Sequence, residues 1–364
     1  MEKNKINVAL LFGGKSAEHE ISLRSAKNVM EAIDKDKYNA VLIGIDKQGN
    51  WLMNNSKSLL SDLYENPTLE QQEGGEGVAL IPQCDGKISN FNNESFNQKI
   101  DVVFPILHGP FGEDGTIQGL LKLANVPFVG AGVLGAAVGM DKDVMKRLLR
   151  DADLPICKFI SLRLENDIPS FQEVERKLGT PCFVKPANLG SSVGINKAET
   201  EQEYLAAVKE AFEFDNKIII EEFIAGREIE CAILGNENPK ASVVGEISFN
   251  DSFYSYDAKY VDEGGYRIDI PALIEPEMQA KIQEVALKTF KVLECEGFAR
   301  VDIFLTKDNQ ILVNEINTIP GFTKISMYPK LWEASGVAYT DLISELIDLA
   351  ISRFEKEKRI KTSR

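Results

Sequence analysis

Two carboxylates that a short hairpin sets face to face constrain this chain more than any other feature. The segment Phe298-Ala-Arg-Val-Asp302-Ile-Phe-Leu reads as a strand with polar residues intruding on one face. Polar turn residues follow, Lys307-Asp-Asn-Gln310, and then a second strand, Ile311-Leu-Val-Asn-Glu315-Ile-Asn317. A turn centred between Asp308 and Asn309 pairs Asp302 with Glu315 and Arg300 with Asn317. Side chains alternate along a strand with a period of two, so all four share one face. Like charges directly opposite one another destabilise a sheet, and a divalent cation between them removes that penalty. Two carboxylates and an amide oxygen are hard donors, suited to Mg²⁺ held together with a substrate's phosphates. The flanking Val, Ile, Phe and Leu predict a largely buried hairpin rather than a solvated edge.

The rest of the chain alternates strand and helix patterns, which predicts an α/β fold, α+β in part. Apolar strands are expected at 6–12 and 39–46 with a helix at 21–34 between them, a βαβ unit and a parallel sheet. The polar stretch 56–96 reads as a surface insertion with some strand content. A buried strand at 101–107, a helix at 116–124 and a short strand at 127–130 complete a first unit. A helix at 142–151 leads to strands at 157–162, 182–186, 194–197 and 217–223, with helices at 171–177 and 201–212. A third unit starts near Gly226, carries the acidic hairpin and ends in a helix at 340–354. The expected domains are therefore 1–132, 133–225 and 226–364, within the usual size range for 364 residues.

A net charge of −15 argues against nucleic acid as a standing partner. No run approaches the about 18 apolar residues a membrane helix needs, and the first residues hold no apolar signal region. Five scattered cysteines without metal-ligand spacing suggest reduced thiols in a cytoplasm, and two histidines are too few for a histidine-rich zinc site.

A second chemical signal is Val184-Lys185-Pro186-Ala-Asn-Leu-Gly190-Ser-Ser-Val-Gly194, a lysine-tipped strand running into a Gly/Ser loop. Small residues let backbone N–H groups approach an anion, and serine hydroxyls add donors. In a Walker A loop the lysine follows the glycines and a helix begins. Here Lys185 precedes them and a strand follows, which describes a hairpin closing over phosphates. Beyond it, Lys217-Ile-Ile-Ile-Glu221-Glu222-Phe223-Ile224 reads as a buried strand whose polar end, with a free carboxylate, can meet an adenine edge and its ribose.

Together these segments resemble the ATP-grasp superfamily and, within it, the D-alanine–D-alanine ligase family. The likeness runs from Leu11-Phe-Gly-Gly-Lys-Ser-Ala-Glu18 to Tyr328. It includes Leu107-His-Gly-Pro-Phe-Gly-Glu-Asp-Gly115, Gly139-Met-Asp-Lys142, Tyr256-Asp-Ala-Lys259-Tyr260, Ala299-Arg-Val-Asp302 and Asn314-Glu-Ile-Asn317-Thr-Ile-Pro-Gly321, in order. The resemblance implies a three-domain fold in which the second and third domains sandwich ATP. It implies phosphorylation of one D-alanine carboxylate and attack by the amine of a second, giving a dipeptide for cell-wall synthesis.

By that resemblance Glu18 holds the first ammonium and His108 the first carboxylate. Lys142, Lys185 and Lys259 meet ATP phosphates, Glu228 the ribose, and Glu221 with the backbone near Phe223 and Ile224 the adenine. Asp302, Glu315 and Asn317 match a site for two Mg²⁺ or Mn²⁺ ions. Arg300 and the Gly321 N–H stabilise the tetrahedral intermediate, and Ser326 takes the second carboxylate. The loop 250–265 is expected to be a lid, with Tyr260 bonded to Glu18 and Ser191 when closed. Glu222 stands where many relatives have lysine, so its contact with nucleotide is expected to differ. A homodimer is implied by resemblance alone.

The second substrate follows from the same loop. Relatives that use D-lactate carry a histidine in place of the Lys-Tyr pair, or phenylalanine for the tyrosine. This chain has Lys259-Tyr260 and no histidine after His108, which implies D-alanine, with D-lactate or D-serine as the alternative. A dinucleotide oxidoreductase lacks support because Gly13-Gly14 is not part of a Gly-x-Gly-x-x-Gly turn. A non-catalytic nucleotide-binding module would be expected to lose Arg300 or the acidic pair, and both are present.

Overall fold

A computed structural model describes residues 5–53, 76–90, 93–249 and 266–361. Its first sheet has strands β1 (Ile6–Gly13), β2 (Tyr38–Ile45), β3 (Trp51–Met53), β4 (Glu76–Leu80), β5 (Lys87–Asn90), β6 (Asn93–Lys99) and β7 (Val102–Ile106), in the order β6-β5-β4-β3-β2-β1-β7. Only β1 with β2 and β1 with β7 pair in parallel; β2 to β6 are antiparallel neighbours. The expected parallel sheet is thus mixed. Short connections such as that between β5 and β6 can only return a strand antiparallel, whereas parallel pairing needs a crossover such as helix α1 (His19–Ala32). The expected strand at 127–130 is reduced to a single bridge between Val103 and Phe128.

Helices α2 (Thr116–Leu123), α3 (Val133–Met140) and α4 (Lys142–Asp151) follow. Nothing in the sequence reading anticipated α3, whose residues Val-Leu-Gly-Ala-Ala-Val-Gly-Met are apolar nearly all round and so carry no helical period. The α4 helix starts where Asp141 accepts a bond from Val144 N–H at 3.1 Å, a side-chain N-cap. The second sheet, β10-β9-β11-β8, uses β8 (Phe159–Arg163), β9 (Cys182–Pro186), β10 (Asn196–Ala198) and β11 (Lys217–Glu222). It is backed by α5 (Phe171–Leu178) and α6 (Glu201–Phe214), each opened by a capping box, at Ser170 and Thr200. Leu162, Val174, Val184, Tyr204 and Ile218 give this unit its own core.

The third sheet, β14-β13-β12-β15-β16, joins β12 (Gly226–Gly235), β13 (Lys240–Phe249), β14 (Tyr266–Asp269), β15 (Gly297–Thr306) and β16 (Ile311–Asn317). Helices α7 (Pro276–Val292), α8 (Met327–Ala334) and α9 (Tyr339–Glu357) complete the described chain, α7 and α8 without a counterpart in the sequence reading. The α3, α4 and α7 helices share a core with this sheet, through Val138, Met145, Leu149 and Phe290 against Ile229 and Val301. Another core ties the first sheet to the third. Phe104 meets Phe322 edge-on at 5.7 Å, and Phe298 meets Tyr328 at 5.4 Å. Arg353 of α9 adds a polar tie, donating to the carbonyls of Gly130 at 2.6 Å and Phe128 at 2.8 Å. The loops after β1, β7 and β16 are therefore fixed to one another by packing, while the second sheet reaches them from a separately packed unit.

Candidate active site

The acidic hairpin has the pairs expected of it, Arg300 with Asn317 and Asp302 with Glu315. Nearer the turn the register is one residue shorter, with Ile303 opposite Val313 and Leu305 opposite Ile311. A bulge at Asn314 absorbs the difference and turns Glu315 onto the face of Asp302, as bulges at functional sites commonly do. On that face Arg300 grips both Asp302 oxygens at 2.7 Å and lies 2.9 Å from Glu230 on β12. Burial disfavours the guanidinium charge, but Asp302 and Glu230 overcome this and raise Arg300 well above its ordinary value. The Asn317 amide nitrogen donates to Asp302 at 2.9 Å.

Lys142, at the first turn of α4, lies 3.6 Å from Glu315 and donates to the Leu189 carbonyl at 2.6 Å. Both bonds tie it to the places where a metal and a phosphate loop were expected. Among the described residues no three carboxylate, thiol or imidazole groups converge as a metal cage. Two carboxylates and one amide oxygen, at present neutralised by Arg300 and Lys142, are instead the partial oxygen set that suits an ion completing its shell with phosphates.

One turn further along α4, Lys146 is 1% exposed. Its ammonium lies 2.7 Å from Glu221, 3.1 Å from Cys157 and 3.5 Å from the carbonyl of the bulged Asn314. Lys185 reaches the other Glu221 oxygen at 2.5 Å. The carboxylate of Glu221 is therefore not free at a strand end, as the sequence suggested; it is 2% exposed and shared by two lysines. Burial would raise it, yet the two ammonium groups hold it well below the usual carboxylate range. Glu221 in turn keeps Lys146 and Lys185 charged against their own burial. Phe223 lies beyond the strand end, 43% exposed, with the Lys197 ammonium 5.9 Å above its ring. Glu222 accepts from Lys158 N–H at 2.7 Å, and Glu228 is half-buried on β12.

The end of the site around Glu18 and His108 gathers three loops. Gly13 turns the chain after β1 with φ +88°, and any Cβ there would strike the Ile45 carbonyl at 2.1 Å. Glu18 follows at the start of α1. It makes no side-chain cap, and its carboxylate instead accepts from the Ser191 hydroxyl. Gly109 faces it so closely that a Cβ would lie 3.0 Å from Glu18 Oε2. Ser191 and Ser192 hold left-handed backbone at φ +53° and +59°, a strained conformation typical of ligand loops.

His108 is 5% exposed; its Nδ1 bonds to the Ile319 carbonyl at 3.0 Å and its Nε2 is buried without a protein partner. Burial lowers its basicity, and Glu18 opposes this in part. Glu113 accepts from Gly109 N–H at 2.8 Å and Ile319 N–H at 3.0 Å. Burial, reinforced by the charge of Glu18, pushes it up to about 8. Gly321 packs against Ser326, whose hydroxyl accepts from Thr323 N–H at 3.1 Å.

The structure thus brings Glu18, His108, Lys142, Lys185, Ser191, Glu221, Arg300, Asp302, Glu315 and Asn317 into one chain of contacts. Lys259, Tyr260 and the expected lid lie outside the described residues. Sequence reasoning missed Lys146, Glu230 and Glu113. A signal existed for Lys146, which falls one helical turn after Lys142 on the face that carries Met145 and Leu149. All five cysteines are free, and no described helix is long and apolar enough to cross a membrane.

Comparison with known proteins adds an independent finding. Residues 7–131 match a family described as D-ala D-ala ligase N-terminus, and residues 148–348 match D-ala D-ala ligase C-terminus. The D-alanine–D-alanine ligase of Shouchella clausii is 54% identical over 361 residues, covering 99% of this chain and 98% of that protein. D-alanine–D-alanine ligase A of Escherichia coli K12 is 52% identical, with 99% of each chain covered. Among solved structures, a D-alanine–D-alanine ligase from Coxiella burnetii superposes with a TM-score of 0.85 at 37% identity, covering 98% of this chain and 97% of that one. The VanG D-Ala:D-Ser ligase of Enterococcus faecalis superposes with a TM-score of 0.86 at 36% identity, covering 95% and 100%.

Proposed function

The chain belongs to the D-alanine–D-alanine ligase family, with its ATP-grasp fold, and joins two D-alanines at the expense of ATP; we propose how its residues divide that work. The observation that carries the assignment is the path from Glu18 to Ser191, along the same loop to Leu189, and on to Lys142, Glu315 and its cross-strand partner Asp302. It joins an ammonium anchor to an acidic hairpin through one phosphate loop.

Glu18 takes the ammonium of the first D-alanine and His108 its carboxylate. The Ile319 carbonyl can only accept, so His108 carries its proton on Nδ1. A neutral ring then offers Nε2 as a bare acceptor, and it meets a carboxylate productively only as imidazolium. The nucleotide lies between the units 133–225 and 226–364. Lys142 and Lys185 face its phosphates, Glu228 its ribose, and the Glu221 strand end with Phe223 and Ile224 its adenine. Asp302, Glu315 and the Asn317 oxygen would hold Mg²⁺ or Mn²⁺, two ions in all, whose charge when bound offsets that of the triphosphate.

One carboxylate oxygen of the first D-alanine attacks the γ-phosphorus, ADP leaves, and an acyl phosphate forms. The second D-alanine, its carboxylate at Ser326, attacks the acyl carbon with its amine. Arg300 and the Gly321 N–H face the oxygen that becomes negative, where fixed donors lower the barrier most. Phosphate then departs with the dipeptide complete. Lys259 and Tyr260 lie outside the described residues; the part given to them is to help keep water from the acyl phosphate. A cytoplasmic homodimer is part of the same proposal.

Phosphate release measured with ATP, Mg²⁺ and a panel of D-alanine, D-serine and D-lactate tests the assignment. Turnover that depends on D-alanine, with D-alanyl-D-alanine as product, is expected at neutral pH. Preference for D-serine or D-lactate in the second position would move the chain to that sister activity, and the absence of D-alanine-dependent turnover would refute the ligase roles.

A further inference from the structure

One peptide unit, that of Ile319, is held at both ends by a single loop. Its N–H donates to Glu113 Oε1 at 3.0 Å, and its carbonyl accepts from His108 Nδ1 at 3.0 Å. The other Glu113 oxygen accepts from Gly109 N–H at 2.8 Å, next to His108 itself. Residues 206 and 211 positions apart in sequence are thus closed into one clamp. The next residue, Pro320, has no N–H and fixes its own φ. It also biases Ile319 toward an extended backbone. The first amide that this segment can offer after the clamp is therefore that of Gly321. Its position is set by how Ile319 is held.

We propose that Glu113 is a positioning residue of the ligation reaction, spanning Gly109 and Ile319 so that His108 and the Gly321 amide keep a fixed separation across the reacting carboxyl group. This rests on the roles given above to His108 and Gly321. Glu113 need not touch substrate. A carboxyl group suits the place because each of its oxygens has a lone pair with which to accept, protonated or not, and two backbone donors must be met at once. Glutamine fits the same space but presents an NH₂ group to one of those N–H donors, so one side of the clamp opens. Aspartate keeps the carboxyl group but is one methylene short of spanning both.

The test uses Glu113→Gln and Glu113→Asp in the full chain. A displacement of about 1 Å at a reacting centre costs on the order of 100-fold in rate. The expected result is therefore a 10- to 100-fold loss of kcat in both variants, with KM for ATP within about twofold of wild type. The chain has two histidines, so ¹⁵N-histidine labelling gives a second readout: the His108 ring signals shift and those of His19 stay in place. Normal kcat with an unmoved His108 signal in either folded variant overturns the proposal. Full rescue by aspartate does so too, since a carboxyl group that cannot span both donors would then suffice. So does a loss of kcat in which both histidines and ATP binding change together, which is what general disorder would give. Should wild type itself lack D-alanine-dependent turnover, the ligase roles fail, while the His108 signal still reports on the clamp.

Discussion

Glu221, which is buried, and Glu113, which is half-buried, are two carboxylates at opposite ends of one site, and they are driven in opposite directions. On the side proposed for the nucleotide, Glu221 is gripped by Lys146 and Lys185 and held far below its ordinary value. On the side proposed for the amino acid, Glu113 has only backbone donors, and its partial burial and the field of Glu18 and Glu315 push it up to about 8. One half is closed electrostatically before any ligand arrives. The other is short of positive charge and also holds an imidazole nitrogen with no protein partner, His108 Nε2. The contrast suits the ligands each half is proposed to take. Triphosphate needs cations already in place, whereas an amino acid brings its own ammonium.

If the nucleotide half is a finished ion cluster, breaking it should cost stability even without ATP. Glu221→Gln leaves Lys146 and Lys185 buried beside each other with no countercharge. Removing one partner of a buried pair costs about 3–5 kcal/mol, the largest effect expected anywhere in the site. Urea unfolding of the ligand-free protein measures it. A change below about 1 kcal/mol would show that water or chain movement already screens the lysines, and that this half is not preformed.

The amino-acid half should respond the other way, losing binding rather than stability. In His108→Asn the amide can still donate to the Ile319 carbonyl, but nothing replaces Nε2. A hydrogen bond to a charged group contributes about 1.5–3 kcal/mol, so KM for the first D-alanine should rise about 10- to 100-fold. Unfolding free energy should move by less than about 1 kcal/mol. A large loss of stability with KM intact would place His108 with the structural groups and erase the contrast.

The same contrast marks what the sequence could disclose. The acidic hairpin was legible because its information is local: alternation, a polar turn and two carboxylates equidistant from it. Even there the bulge at Asn314 was invisible, and the right pairs came from a centre that does not hold near the turn. The first sheet was read as parallel from its βαβ start, whereas its far edge is an antiparallel meander. Lys146 looks like any helix lysine until Glu221, 75 positions on, is folded against it. Glu113 sits inside a motif whose histidine and glycines drew attention, but its partner is a backbone amide 206 positions away. No spacing rule reports a side chain whose role is to hold someone else's peptide.

The effect most specific to the amino-acid half is a pH dependence, spread so that no single pH unit carries more than about 1.4 kcal/mol. Folded Glu113 titrates at about 8, against an ordinary value of 4.5. Between those values the folded chain keeps a proton that the unfolded chain has released. Stability from this group is therefore fully present at low pH, falls as pH rises from about 5 to about 8, and is level above that. The slope is at most about 1.4 kcal/mol per pH unit. Glutamine at 113 cannot titrate, so the stability of wild type relative to Glu113→Gln should decline across that window, measured by urea unfolding without ligands. Adding Mg²⁺ and D-alanine should flatten the decline, because cations near Glu18 and Glu315 favour the ionised form. Parallel curves in the absence of ligand would mean that Glu113 is already ionised at pH 5.5. The amino-acid half would then be as complete as the nucleotide half, and the charge deficit assigned to it would have to be sought in Glu18 alone.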